Sequence, residues 1–328
     1  MLVNIVSKIP PALWDREVPS GLSIDFCHTY EPVSADIHVI YGIRNGVVVP
    51  NKSQNTIFIA SEPPEIREYN KKVVSTYRAV LGPGFEYLKQ LSNFTEIEAV
   101  APWWVGARAG GADHYQEFVS DISLSRPSLA AVASPDADRV SVIVSGKSRT
   151  PLQRQRLKLV DFLGSKIENL DVYGESFNPI SDKAEVLKVS RYHLAVENSV
   201  HNNYWTEKLA DPVLMNNVVF YGGHSSARER FDPRSVIAID PYDLTGTYDI
   251  IARSLAEDLW SKTEAARDSN RRKLLDSLSF HRSLLGFIEA HDFHPSHGSK
   301  FSVPPQHPKS LVKKFIDPLY RILPSAGH

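Results

Sequence analysis

The sequence lacks several features that would assign it at once to a class of protein. Its 328 residues include one cysteine, Cys27, so no disulfide can form within the chain. Lys and Arg total 37 against 38 Asp and Glu, which gives a formal net charge of −1. A chain without surplus positive charge is poorly suited to neutralise a nucleic-acid backbone. This composition excludes a disulfide-stabilised scaffold and predicts no nucleic-acid partner.

Long hydrophobic runs are also missing. No apolar stretch approaches the roughly 20 residues that a membrane-spanning helix needs. The first 18 residues start apolar but have no basic segment before the apolar run, which Lys8 and two prolines interrupt. That pattern is atypical of a signal peptide, so we expect a cytoplasmic protein. No Cys and His set has zinc-site spacing, so we expect no metal site and no required cofactor, while stimulation by a divalent metal stays open.

What the sequence does have is two series of short β-branched runs that alternate with helical patterns. The first series includes residues 2–6, 37–41 and 56–60, and a Pro, Ser and Asp-rich passage at 126–138 separates it from a new strand at 140–145. At about 150 residues per domain, the length fits two domains. We predict an N-terminal α/β domain over residues 1–137, a second α/β domain over 138–290, and a C-terminal tail over 291–328.

The order of these elements predicts an α/β fold of two Rossmann-like domains that face a cleft, because ligands bind at the carboxyl ends of strands in open α/β sheets. Helices are predicted over 64–73 in the first domain and over 204–215 in the second. In the tail, apolar residues at 311, 315, 319 and 322 share one helical face. This helix is expected to pack back on the protein, with weak peripheral contact with a membrane as the alternative.

The most informative segment is residues 191–223. A predicted strand there ends at Glu197 and Asn198, a polar loop follows, and a helix begins near Thr206. The N–H groups at a helix start bind anionic oxygens, and Lys208 adds a positive charge one turn into the helix. Glu207 can accept two hydrogen bonds from a diol such as a ribose. An isolated Thr-Glu-Lys is usually a solvated helix start, but this arrangement at strand ends favours a nucleoside-diphosphate site.

The whole string resembles the donor-site signature of the α-1,3-fucosyltransferases, glycosyltransferase family ten, in their bacterial form. The matching parts are Glu-Asn-Ser at 197–199, Tyr-Trp-Thr-Glu-Lys at 204–208, Val-Val-Phe-Tyr-Gly at 218–222 and Phe-Asp-Pro-Arg-Ser-Val-Ile at 231–237. The resemblance covers about residues 140–285. It implies a GT-B fold and an inverting transfer of L-fucose from GDP-fucose to a hydroxyl of an oligosaccharide, in protein glycosylation or surface-glycan synthesis.

The resemblance also implies roles for individual residues of the second domain. Arg156 and Lys208 would be catalytic, holding the β-phosphate as it leaves, with Arg154 as the fallback for Arg156. Fixed positive charge at the point where negative charge develops is a common form of catalysis. The remaining donor-binding residues would be Lys147, Arg154, Glu197, Asn198, Ser199, Tyr204, Thr206, Glu207, Tyr221 and Gly222.

In the first domain, Glu62 directly follows a buried strand and matches the position of the family's general base. An inverting transfer needs one carboxylate that takes the proton of the acceptor hydroxyl. Three other acids compete for this role: Glu31, Glu65 and Glu68.

Two adjacent tryptophans, Trp103 and Trp104, stand where the family has a Pro-aromatic-aromatic element. Sugar rings stack on aromatic faces, so they are the predicted acceptor-binding residues, with a core tryptophan pair as the alternative.

Three departures from the family pattern put the transferred sugar in question. Val196, Trp205 and Val219 stand where the family has Phe, a small apolar residue and Pro. The first alternative therefore keeps the fold and mechanism but uses a different deoxysugar or nucleotide. The second is a glycan-binding homologue without activity. The expected location is the cytoplasm, with peripheral contact at the inner membrane through the C-terminal helix as an option.

Overall fold

A computed structural model gives the fold and describes residues 1–42, 48–49, 55–98, 101–110, 114–118, 136–293 and 301–302. The strands are β1 Leu2–Val6, β2 Asp25–Thr29, β3 Ile37–Tyr41, β4 Val48–Val49, β5 Thr56–Ile59, β6 Ala79–Gly82, β7 Phe94–Glu96, β8 Ala107–Gly110, β9 His114–Phe118, β10 Asp136–Ile143, β11 Leu170–Tyr173, β12 Ser190–Val196, β13 Val218–Gly222, β14 Val236–Ala238 and β15 Phe301–Ser302. The helices are α1 Pro11–Asp15, α2 Lys71–Val74, α3 Pro151–Gly164, α4 Lys183–Leu187, α5 Glu207–Leu214, α6 Ser225–Arg228, α7 Leu244–Ala256, α8 Leu259–Lys262, α9 Glu264–Ser277 and α10 Phe280–Ala290.

The first domain is built on a six-stranded sheet in the order β2-β1-β3-β5-β6-β7, in which every pairing is parallel. Its central strands are buried on both faces, which explains their continuous apolar sequences. One face packs against Trp14 of α1. The other face packs against α2 and the aromatic side chains Tyr69 and Phe85.

The second domain has a five-stranded sheet in the order β11-β10-β12-β13-β14, again parallel throughout. The chain runs from β10 to the edge strand β11 and then crosses to β12 on the other side of β10. The strand order therefore reverses between β10 and β12, and such a reversal opens a crevice at the carboxyl ends of the two strands. With its α/β layers, the molecule has the predicted fold of two Rossmann-like domains.

Helix α10 connects the end of the second domain to the first. Its apolar side chains Phe280, Leu284 and Ile288 pack in the same cluster as β1, β3 and β5. His281 Nε2 lies 2.8 Å from Nε2 of His28 in β2. The last helix of the predicted second domain, which runs to residue 290, therefore packs on the first sheet.

The helix predicted over 64–73 is wrong for most of its length, because only α2 is helical there. Asn70 caps α2 by accepting a hydrogen bond from the Lys72 N–H at 3.0 Å. Ahead of it, the Tyr69 hydroxyl accepts the Glu62 N–H at 2.9 Å, so this stretch is fixed as a loop by tertiary contacts.

The predicted tail helix over 311–322 lies outside the described residues, and its contact with a membrane stays a prediction. Within the described ranges, no helix combines the length and the apolar character that a membrane crossing requires.

Candidate functional site

A cavity of about 380 Å³ opens at the carboxyl ends of β10 and β12, at the point where the strand order reverses. Of the predicted site residues, five line it: Lys147, Arg156, Asn198, Glu207 and Lys208. Three of the five carry positive charge. The structure thus brings together the residues predicted to hold a phosphate group, although they come from three separate segments of the chain.

Arg156 reaches this cavity from α3, which begins with Pro151 behind a capping box formed by Thr150 and Gln153. Arg156 is 3% exposed, and its guanidinium donates to Asn198 Oδ1 at 3.1 Å. Burial lowers the pKa of Arg156, whereas the negative charges of Glu197 and Glu207 raise it.

The fallback residue Arg154 is exposed and does not line the cavity. Its guanidinium donates to the backbone oxygens of Ser148 and Arg149 at 3.0 and 3.2 Å. The geometry therefore favours Arg156 over Arg154 as the anion-binding arginine, and Arg154 supports the loop that carries Lys147.

The start of α5 is held by a buried carboxylate. Glu197 is fully buried and accepts the Thr206 N–H at 2.9 Å and the Thr206 hydroxyl at 2.9 Å. Burial raises the pKa of Glu197, against the opposing effect of Lys208, whose Nζ lies 3.8 Å from Oε2. Contrary to expectation, neither Glu197 nor Thr206 lines the cavity; both fix the helix start that carries Glu207 and Lys208.

Glu207 lies between two lysines at the cavity wall. The Nζ of Lys208 is 3.2 Å and the Nζ of Lys183 is 3.6 Å from Glu207 Oε1. Burial alone would raise the pKa of this carboxyl, but Lys208 and Lys183 outweigh it and lower the pKa to about 2. Glu207 is therefore an ionised acceptor, fit to bind a pair of hydroxyl groups.

Glu62 approaches this site from the first domain, just after β5. Burial and the negative charge of Glu207 raise the pKa of its carboxyl, whereas the positive charges of Lys208, Arg67 and Lys147 lower it. The effect of burial is the largest, and the pKa of Glu62 is raised. Since Lys147, Glu207 and Lys208 line the cavity of the second domain, the Glu62 carboxyl lies within electrostatic range of that cavity. A carboxyl of raised pKa at a cleft is suited to take up a proton.

The competing acids near Glu62 are placed differently. Glu65 Oε2 lies 3.0 Å from His201 Nε2 in the second domain, so its carboxylate takes part in an interdomain contact. Glu68 is exposed on the surface. Both facts favour Glu62.

Other predicted donor residues are buried and do not line the cavity. Ser199 is 5%, Tyr204 2% and Tyr221 0% exposed. Tyr204 packs with Phe85 in the core of the first domain, at a ring distance of 6.0 Å. None of these side chains is therefore exposed to a donor in the cavity, and Tyr204 joins the two domains.

Gly222 ends β13 where Pro241 and Val196 pack against it. A Cβ added at Gly222 would lie 2.6 Å from Pro241 Cγ and 3.3 Å from Val196 Cγ2. The glycine is needed for this close approach and not as a donor contact.

Gly222→Ala is therefore expected to destabilise the protein by about 1–3 kcal/mol through overpacking. Thermal denaturation should show the loss. Gly286→Ala is the matched control, because an added Cβ there meets nothing within 4 Å and Ala favours the helix. If the two variants have equal melting temperatures, Gly222 has no packing role.

The two tryptophans separate in the structure. Trp103 is 2% exposed and packs in the core cluster with Trp205 and Leu209. Its ring is unavailable to a sugar, which corrects the prediction for Trp103 and matches the alternative of a core residue. Trp104 is only partly buried, and its backbone N–H donates to Asp211 Oδ1 at 2.9 Å. Of the pair, Trp104 alone is left as a candidate acceptor contact.

The cavity lining also includes Lys183, His193 and Asp211, which no sequence pattern had singled out. Asp211 is 1% exposed and accepts from Lys183 Nζ at 2.7 Å. Burial, and to a smaller extent the positive charge of Lys183, lowers the pKa of His193 to about 3. Its imidazole is therefore neutral. One signal was available: a helix that follows a parallel strand begins at the carboxyl edge of the sheet, and Lys183 begins α4.

Comparison with known proteins agrees with this geometry. Residues 137–257 match the family model described as "Glycosyltransferase family 10 (fucosyltransferase) C-term". The crystal structure of an α1,3-fucosyltransferase with GDP aligns at a TM-score of 0.50 and 15% identity, over 86% of this chain and 92% of that one. A trehalose-6-phosphate synthase studied for glycosyl transfer with retention aligns at a TM-score of 0.50 and 10% identity, over 88% and 98%. Curated protein sequences gave no match.

The fold is thus that of the GT-B glycosyltransferases, with two α/β domains. The matched residues 137–257 include the 191–223 segment whose sequence resembles the donor-site signature of family 10. Among the residues that the structure describes, no group of three or more His, Cys, Asp or Glu side chains could hold a metal ion.

Proposed function

We propose that the protein transfers L-fucose from GDP-fucose to a hydroxyl group of an oligosaccharide, with inversion at the anomeric carbon. The observation that carries this proposal is the cavity at the β10/β12 reversal. It places the buried Arg156 beside Lys208 and Glu207, within the segment that matches the fucosyltransferase family. The reaction uses three kinds of group: cations that bind the diphosphate, an acceptor of hydrogen bonds from the ribose diol, and a general base.

Arg156, Lys208 and Lys147 would bind the diphosphate. In the transfer, the bond between the anomeric carbon and the β-phosphate oxygen breaks, and negative charge accumulates on that phosphate. Two fixed cations from α3 and α5 stabilise this charge without needing to move. Glu207 would accept hydrogen bonds from the ribose hydroxyls.

Glu62 would act as the base. Its carboxylate takes the proton of the acceptor hydroxyl while the oxygen attacks the anomeric carbon on the face opposite the diphosphate. The position of Glu62, on the domain opposite the diphosphate-binding cations, supports attack from that side. The fold leaves the stereochemistry open, because one of the similar structures is of a protein studied for transfer with retention.

A thermal-shift panel of sugar nucleotides tests the donor. GDP-fucose and GDP are expected to raise the melting temperature at concentrations where UDP-glucose and dTDP-rhamnose do not, since a ligand stabilises by RT ln(1 + [L]/Kd). A larger shift with another sugar nucleotide would replace fucose by that donor and keep the mechanism. No shift with any of them, together with binding of glycans, would favour the inactive glycan-binding homologue.

Transfer should be lost at mildly acidic pH. The base must be ionised, and burial raises the pKa of Glu62 above its ordinary value. The value of kcat/KM is therefore expected to fall about tenfold per pH unit below that raised pKa. The diphosphate of GDP-fucose is esterified at both ends and does not titrate in this range. A pH profile that stays flat down to about pH 4.5 would exclude Glu62 as the base.

A further inference from the structure

Lys183 lines the donor cavity and links two helices of the second domain. It is the first residue of α4, and its Nζ lies 2.7 Å from Asp211 Oδ2 and 3.6 Å from Glu207 Oε1. Glu207 and Asp211 are one turn apart on α5, so a single ammonium group joins both carboxylates and fixes α5 against α4.

The far side of Asp211 holds the loop of the tryptophan pair. Asp211 Oδ1 accepts the Trp104 N–H at 2.9 Å. Asp182, which caps α4 just before Lys183, accepts the Gly106 N–H at 2.8 Å. The start of α4 and the middle of α5 are therefore both bound to the loop that carries the candidate acceptor contact.

Both positively and negatively charged groups surround Glu207. Lys208 and Lys183 face it, with Arg156 on the neighbouring helix α3. The carboxylates of Glu197, Glu62 and Asp211 also lie within electrostatic range of Glu207. With Lys183 removed, Lys208 would be the one cation left in contact with Glu207 among the described residues.

We propose that Lys183 is a positioning residue of the donor site: it holds the carboxylate of Glu207 ionised toward the ribose diol and clamps α5 to the loop that carries Trp104. This inference rests on the proposed function, because it assumes that Glu207 binds the donor. Lys183 acts through Glu207 and Asp211 and takes no part in bond making.

The test uses Asp211→Asn as the reference protein. Asn keeps the oxygen that accepts the Trp104 N–H, and it avoids leaving a buried carboxylate unpaired when Lys183 is changed. Lys183→Met and Lys183→Arg are then added to this background. GDP-fucose affinity is measured by calorimetry from pH 4.5 to pH 8, with circular dichroism to check that each variant is folded.

We expect the ratio of the Lys183→Met dissociation constant to that of the reference to be larger at pH 4.5 than at pH 8, because Glu207 without Lys183 takes up a proton more readily and that proton opposes binding. Titrations common to both proteins cancel in this ratio. Lys183→Arg should restore a flat ratio. A ratio for Lys183→Met that is the same at every pH would overturn the inference, because a merely structural role gives that result. If the unmodified protein binds no GDP-fucose, the proposed function fails instead.

Discussion

Glu62→Gln is expected to lower the rate of fucosyl transfer by about 10²- to 10⁴-fold, the range that loss of a general base produces. Gln keeps the size of the side chain but cannot accept the proton of the acceptor hydroxyl. The cations proposed to bind the diphosphate lie on the other domain, so the affinity for GDP should change by less than about threefold. Steady-state kinetics and calorimetry of GDP binding measure the two effects separately.

Glu68→Gln is the matched control for this variant. It makes the same chemical change on an exposed side chain six residues further along the chain. Its transfer rate should stay within a factor of two of the unmodified protein. If Glu62→Gln is as active as Glu68→Gln, the base is another residue. If it loses GDP affinity and activity together, Glu62 binds the donor and is not the base.

Arg156→Met is expected to weaken GDP binding by about 100-fold and to reduce transfer further. Charge-assisted hydrogen bonds to phosphate that are made in a partly dry cavity are strong, and removal of one buried partner leaves the other without its counterion. Met fills a similar volume and is suited to the buried position, so the fold should persist.

Arg154→Met is the control that tests whether the loss of GDP affinity is specific to Arg156. Arg154 lies on the same helix but is exposed and bonds to the 148–149 backbone. Its loss should change the dissociation constant for GDP by less than about threefold. Equal losses of affinity in the two variants would mean that α3 contributes only a general positive field, and not the specific contact proposed for Arg156.

Strands buried on both faces were the most predictable part of the fold. Residues 2–6 and 37–41 were predicted as strands, and β1 and β3 have those bounds, because β-branched residues in an unbroken apolar run leave few other structures. The edge strand β2 was missed. It contains Asp, His and Thr and is only partly buried, so its sequence does not show the pattern of a strand.

The site was predictable where its chemistry lies within one short segment. Asn198, Glu207 and Lys208 follow from a strand end and a helix start that are close in sequence. The contacts of Lys183 with Glu207 and Asp211 join residues more than 20 positions apart, and no local pattern specifies such pairs. For the same reason, Trp103 and Trp104 look equivalent in the sequence, although tertiary packing buries only the first of them.

The measurement that tests the central claim most directly is incubation of the purified protein with GDP-fucose and a mixture of oligosaccharides, followed by NMR of the products. One GDP should be released for each fucose transferred, and the anomeric configuration of the new linkage should be opposite to that of the donor. A folded protein that neither binds GDP saturably nor releases it under any of these conditions would contradict the assignment of the donor site.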